Sequence, residues 1–309
     1  MPSDPGGIYA AAITARRAGE HSIDLGSMLD SIDFLAAGGL DGIALLGSTG
    51  EFIHFEIQDR ARLATFAAKR SPVPVMVNVS HSTFDGAVAL AREAASAGVA
   101  GVLLMPPHYF RYDAESIRDF FLQFAAAVDG QVPVYLYNIP LFTSEIPVSV
   151  AAFLLGTGLF AGIKDSSGSF EYFAALRGTA ASYVFFSGSE RLYARVRDSA
   201  TQAGVYGIIS GVASAVPELV VALARAVESG DAARVAMLDA RVGEFLDWFW
   251  KFPVPMAVKE AAALRGVKAG VSAVPLPANA SRRLDEFREW FRAWLPTVLA
   301  ECGVRESGS

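Results

Sequence analysis

Ala36-Ala37-Gly38-Gly39-Leu40-Asp41-Gly42-Ile43 closes a helix-like stretch on glycine and then opens an apolar run. The same phrase returns as Ala97-Gly98-Val99-Ala100-Gly101-Val102, as Gly158-Leu159-Phe160-Ala161-Gly162-Ile163 and as Ala203-Gly204-Val205-Tyr206-Gly207-Ile208. Each is a junction from helix to strand. The first glycine suits a helix C-cap, and the second permits the close backbone approach expected where helices pack on a parallel sheet. Apolar runs at Ile8 to Ile13, Val73 to Val77, Val134 to Tyr137 and Tyr183 to Phe186 bring the strands to eight, with helical patterns between them. Eight βα units in 309 residues predict a TIM (β/α)8 barrel rather than an open sheet.

Beyond Ser210 the pattern changes. Pro217 to Glu228, Asp231 to Trp250, Pro255 to Arg265 and Asn279 to Leu299 read as helices, the last with Leu284, Phe287, Phe291, Trp294 and Val298 on one apolar stripe. The first of these completes the barrel, which places a barrel with the active site in residues 1–230 and a C-terminal helical extension in residues 231–309. Phe245, Trp248, Phe249, Trp250 and Phe252 form an aromatic cluster in the extension, read as packing within or between subunits rather than as a ligand site.

Composition narrows the function. With 52% hydrophobic side chains the chain buries a large core. No apolar run has membrane-span length, and Met1 to Gly7 lacks the basic and apolar regions of a signal peptide, so a soluble protein of the cytoplasm is expected. The net charge of -6 is spread out with no run of Lys and Arg, which argues against nucleic acid as a partner. A single cysteine, Cys302, leaves no internal disulfide or thiolate cluster, and His21, His54 and His81 lack ligand spacing, so no metal or other cofactor is expected.

Three strand ends carry chemistry. Lys164 ends the run Leu159 to Ile163, where an amine has no structural reason to be; an amine held in a dry site is available as a nucleophile toward ketones. Tyr137 ends another apolar run and is followed by the turn Asn138-Ile139-Pro140. Gly47-Ser48-Thr49-Gly50-Glu51 follows the strand Gly42 to Leu46, and consecutive amides in a glycine-flanked turn form an anion nest. Glu51 itself reads as a cap of the next helix, and Asp165 as structural.

These motifs, with Pro107-His108-Tyr109, Ile163-Lys164-Asp165, Gly207-Ile208-Ile209-Ser210 and Pro253-Val254-Pro255-Met256-Ala257-Val258-Lys259, resemble in order and spacing the dihydrodipicolinate synthase and N-acetylneuraminate lyase superfamily. The resemblance spans the chain. It implies class I aldolase chemistry, with Lys164 forming an imine with pyruvate and Tyr137 shuttling protons. It further implies that Ser48 and Tyr109 relay the proton, Tyr109 reaching into a neighbouring subunit's site. The pyruvate carboxylate would rest on Ser48 and Thr49 in the loop opened by Gly47, and the Ile209 carbonyl would line the site behind the imine. His108 would support the relay tyrosine, and the oligomer would be a dimer of dimers.

Departures from the pattern bear on substrate. Phe142 stands where the biosynthetic synthases carry an arginine that holds a substrate carboxylate, and Thr14-Ala15-Arg16 replaces the usual Thr-Pro-Phe. Ser187-Gly188-Ser189-Glu190, and Ser210 to Ser214 after the last strand, suit a polyhydroxylated tail. The expected activity is therefore reversible cleavage of a 2-keto-3-deoxy sugar acid, or a related 4-hydroxy-2-oxo acid, to pyruvate and an aldehyde. Dihydrodipicolinate synthase and keto-deoxy sugar acid dehydratase are the enzyme alternatives. The non-enzyme alternative is a TIM-barrel sensor or phosphate-ligand-binding protein.

Overall fold

The computed structural model describes residues 6–177, 183–199 and 205–304. The opening residues Met1 to Pro5 and the junction glycine Gly204 lie outside them. Strands β1 (Gly7–Ala11), β2 (Gly42–Leu45), β3 (Val75–Asn78), β4 (Gly101–Leu104), β5 (Val134–Asn138), β6 (Gly162–Asp165), β7 (Val184–Ser187) and β8 (Val205–Ser210) form a closed barrel in chain order. All pairings are parallel, and β1 closes on β8 with Tyr9 opposite Ile209. Helices α1 (Leu25–Ala37), α2 (Ile57–Arg70), α3 (Phe84–Ala97), α4 (Ala114–Val128), α5 (Val148–Gly156), α6 (Phe170–Leu176), α7 (Glu190–Ser199) and α8 (Pro217–Ser229) follow the strands in turn. Several open on a side-chain cap: Thr83 accepts from the Gly86 amide, Asp113 from Ser116 and Ser169 from Tyr172.

The junction glycines have two distinct reasons. Gly98 ends α3 at φ 78°, a left-handed conformation in which its amide reaches back to the carbonyls of the last turn. The second glycine makes space inside the barrel at three of the junctions, and at the fourth a Cβ on Gly162 would fall 2.1 Å from the Val184 carbonyl oxygen. A Cβ on Gly42 would fall 2.1 Å from the Tyr9 ring, one on Gly101 2.7 Å from the Tyr135 ring, and one on Gly207 2.7 Å from the Phe186 ring. Those rings fill the barrel's interior. Tyr9 meets Phe186 edge-on at 5.2 Å between centroids, and Tyr135 lies 5.8 Å from the same ring. Burial pushes the Tyr9 phenol up to about 12 and raises that of Tyr135 as well.

Beyond α8 come α9 (Ala232–Phe249), α10 (Met256–Leu264) and α11 (Ala278–Glu301). Helix α9 packs on α7 and α8, and α11 lies across α8, α9 and α10. The expected stripe on α11 is buried, and Phe245 of α9 meets its Phe287, Phe291 and Trp294 at 6.0 to 6.3 Å. Trp248 and Phe252 also pack on Phe287. Burying such rings contributes roughly 1.5–3 kcal/mol each, enough to fix the extension against the barrel. Among the described residues no helix is long and apolar enough to cross a membrane.

Candidate active site

Tyr137 and Lys164 are register partners on β5 and β6, and the next pair along, Asn138 and Asp165, locks them. The Asn138 amide donates to Asp165 Oδ1 at 2.7 Å, while its own oxygen accepts from the Ile146 amide at 2.9 Å. Asp165 also accepts from the Ser167 amide and hydroxyl at 3.2 and 2.8 Å. Burial raises the pKa of Asp165, and these hydrogen bonds oppose the rise. With both polar side chains fully engaged, the strand ends cannot slide, and Asp165 is structural as expected.

Lys164 is only 4% exposed and has no carboxylate partner among the described residues. Its Nζ lies 4.3 Å from the centroid of the Tyr137 ring. The Tyr137 hydroxyl lies 3.2 Å from Ser48 Oγ, in the loop after β2. An amine, a phenol and a serine hydroxyl are thus brought together from three strands.

The Ser48 loop is bracketed by strain. Leu46 and Glu51 adopt φ of 58° and 52°, left-handed values that cost a side-chain-bearing residue on the order of 1–3 kcal/mol. Gly50 fits between them because a Cβ there would fall 2.8 Å from the Leu46 amide nitrogen and 3.1 Å from the Ala12 carbonyl. The Ser48 and Thr49 amides have no protein acceptor among the described residues, leaving two donors for an anion.

Glu51 stands at the N-cap position of a short 3-10 helix, Phe52–His54, but its side chain makes no capping hydrogen bond there. Its carboxylate accepts from Lys259 Nζ at 2.6 Å, both side chains being 8% exposed, and so ties the loop to α10. Burial lowers the Lys259 pKa, and Glu51 partly offsets that. Removing one partner of a buried pair strands the other charge. Lys259→Ala is therefore expected to lose about 3–5 kcal/mol of stability, read as a fall of ~10 °C in Tm. Replacing both partners, Glu51→Gln with Lys259→Met, should recover much of that loss. A Tm for Lys259→Ala within about 2 °C of the parent chain would show that the pair is not needed.

A cavity of about 460 Å³ opens above Lys164. Ser48, Thr49, Tyr137 and Ile209 line it, as the sequence reading expects, as do Phe142, Gly188, Ser189 and Glu190. Gly47, although a Cβ there would meet open space, is buried and is not on its wall. Ser187 is not either: its hydroxyl donates to the Ser189 carbonyl at 2.9 Å. Glu190 is on the wall with one carboxylate oxygen engaged: Oε1 accepts from Ser210 Oγ at 2.8 Å and from the Val212 amide at 3.2 Å, while Oε2 carries no hydrogen bond among the described residues. The Ser187 hydroxyl and Glu190 Oε1 therefore brace the ends of β7 and β8.

Other wall residues escape a reading of the sequence. Leu246, Phe249 and Trp250 come from the end of α9, so part of the aromatic cluster assigned to packing faces the cavity. Their i, i+3, i+4 spacing marks an apolar helix face without saying what that face looks upon. Ser166 and Arg191 are also on the wall.

Tyr109 does not line this cavity. It is 90% exposed at φ 82°, edge-on to Phe110 at 4.9 Å, and lines an adjoining hollow with Phe52 and His108 that shares Ser48, Phe142 and Val254 with the cavity. His108 lies edge-on to Phe52, and burial, with His81 and Arg60 nearby, holds its pKa below the usual value. Arg16 is buried over the Phe55 ring and donates to the His21 carbonyl, tying together the loop after β1.

Known proteins match this architecture along its length. An uncharacterized DapA-like lyase of Halobacterium salinarum is 33% identical over 301 residues, covering 96% of this chain and 94% of its own. A 4-hydroxy-tetrahydrodipicolinate synthase of Methanosarcina barkeri is 28% identical over 86% of this chain and 92% of its own. Among solved structures, KD(P)GA from T. tenax superposes with a TM-score of 0.80 at 26% identity, covering 96% of this chain and 99% of that one. A model of the dihydrodipicolinate synthetase family matches residues 4–292, and with these relatives it shows that the chain belongs to that family.

Proposed function

We propose that the protein is a class I, pyruvate-dependent lyase that reversibly cleaves a 4-hydroxy-2-oxo acid, the class that includes 2-keto-3-deoxy sugar acids, to pyruvate and an aldehyde. The observation that carries this is Lys164, enclosed and, among the described residues, without a carboxylate partner, beside a phenol and a serine hydroxyl at 3.2 Å from each other. In the synthetic direction the Lys164 amine adds to C2 of pyruvate, and the carbonyl oxygen leaves as water. The iminium then loses a proton from C3 to give an enamine, whose C3 bonds to the aldehyde carbon as the aldehyde oxygen takes up a proton. Water adds back to C2 and releases the lysine. Cleavage is the reverse.

Tyr137 is the proton shuttle in this scheme and Ser48 its relay, while the Ser48 and Thr49 amides hold the pyruvate carboxylate. The Ile209 carbonyl lies behind the imine. The enzyme works in the cytoplasm as a homo-oligomer, a dimer of dimers. Reaction with pyruvate and borohydride should place one reduced pyruvate unit on the Lys164 peptide by mass spectrometry, since only an imine is trapped this way. An intact protein without the adduct would end this reading in favour of a sensor or a phosphate-ligand-binding barrel.

The synthase reading shares the imine and draws support from relatives that carry that name, among them the one from Methanosarcina barkeri. Phe142 weighs against it, because an apolar ring offers an incoming carboxylate nothing in place of a bidentate guanidinium.

Tyr109 completes a neighbour's relay in this proposal, consistent with its strained, outward-facing placement. Tyr109→Phe should keep the pyruvate imine and lose most turnover. Mixing it with Tyr137→Phe subunits should restore part of the activity, because a hybrid site regains both phenols. If verified subunit exchange gives no recovery, each site is self-contained.

A further inference from the structure

The pyruvate-lyase reading leaves the aldehyde open, and the inference made here rests on that reading. We infer that the aldehyde is apolar and ring-bearing, so that the group beyond C4 of the 4-hydroxy-2-oxo acid is aromatic or arylalkyl rather than a polyol or a second carboxylate. The outer half of the cavity is walled by Leu141 and Phe142 from the loop after β5 and by Leu246, Phe249 and Trp250 from α9. Leu141, Phe142 and Trp250 are 62%, 50% and 61% exposed, so large apolar side chains stand open to solvent around one mouth. Phe249 and Trp250 meet edge-on at 4.8 Å, which leaves a ring to pack against on the wall. Covering such a surface with an apolar ligand is favourable in proportion to the area removed from water, and contiguous exposed apolar patches mark binding sites.

The polar side chains of the same half are in part occupied. Ser167 donates to Asp165, and Glu190 Oε1 holds Ser210 and the Val212 amide, while Glu190 Oε2 carries no hydrogen bond among the described residues. Arg191, the cation at the mouth, pairs with Asp247 at 2.9 Å. The hydroxyls of Ser166 and Ser189 carry no hydrogen bond among the described residues and remain for a ligand. They suit the single C4 oxygen formed from the aldehyde. A sugar tail would bring several more hydroxyls against apolar walls, and each one desolvated without a partner weakens binding.

The test uses the full chain and begins with the pyruvate adduct on Lys164. Pyruvate is then supplied with benzaldehyde, D-glyceraldehyde or succinic semialdehyde, and carbon–carbon bond formation is followed by pyruvate consumption and product mass. Benzaldehyde should exceed each of the others in kcat/KM by roughly tenfold or more. Trp250→Ala and, separately, Phe142→Ala should each reduce the benzaldehyde-to-glyceraldehyde ratio by about tenfold. A ratio insensitive to cell-independent folding differences is the readout, so lowered overall activity does not mimic the effect. If the adduct forms but glyceraldehyde or succinic semialdehyde is used as well as benzaldehyde, the inference is wrong and the lyase reading stands. It is equally wrong if the adduct forms and no aldehyde is consumed, or if both variants keep the parent ratio. Absence of the adduct removes the lyase reading and this inference with it.

Discussion

Lys164→Ala is expected to give no borohydride-trapped pyruvate and to turn over at a rate lower by a factor on the order of 10⁴ or more, because in the proposed lyase covalent catalysis has no substitute once its nucleophile is gone. Lys164→Arg should behave alike. The guanidinium keeps the positive charge but cannot form the imine, so the pair of variants separates nucleophile from charge. Both should fold, since Asn138 and Asp165 hold the adjoining strand ends without help from the lysine. An adduct still formed by either variant, or activity within about tenfold of the parent chain, would place the reactive amine elsewhere.

Tyr137→Phe tests the other half of the machinery. The ring stays beside Lys164, so the pyruvate imine should still form, while the hydroxyl that meets Ser48 Oγ at 3.2 Å is lost. General acid–base catalysis of this kind contributes about 10²–10⁴-fold, and the fall should appear in kcat. Ser48→Ala should produce a smaller fall, because the phenol remains and only its contact is removed. A Tyr137→Phe enzyme within about fivefold of the parent would assign the proton transfers to another group.

The barrel is legible in the sequence because its junctions are local. Gly42 and Gly101 stand within a few residues of the ends of α1 and α3 and open β2 and β4, and Gly207 lies within β8. That these glycines accommodate Tyr9, Tyr135 and Phe186 is not legible, since the rings arrive from other strands. Lys164 and Tyr137 stand out as polar groups ending apolar runs. Glu51 and Lys259 do not announce each other across 208 residues, and a carboxylate opening a helix reads as a cap until its partner is seen. Ser187 misleads for a related reason: a polar side chain at a strand end suits a substrate or a neighbouring loop equally, and here the loop takes it, while Glu190 is divided between Ser210 and the cavity. Phe249 and Trp250 belong to an aromatic cluster by sequence, whereas the rotation of α9 about its axis, set by packing on α7, α8 and α11, turns them toward the cavity.

The rings of Tyr9, Tyr135 and Phe186 fill the barrel below Lys164, on the side away from Trp250. A reaction vessel stoppered at one end imposes a queue on its occupants. In the proposed lyase pyruvate enters before the aldehyde and, on cleavage, departs after it, because the aldehyde would lie between Lys164 and the mouth walled by Leu141, Phe142 and Trp250. Steady-state kinetics should accordingly be ordered, with pyruvate first on and last off, and an excess of aldehyde should inhibit by occupying the entrance ahead of it.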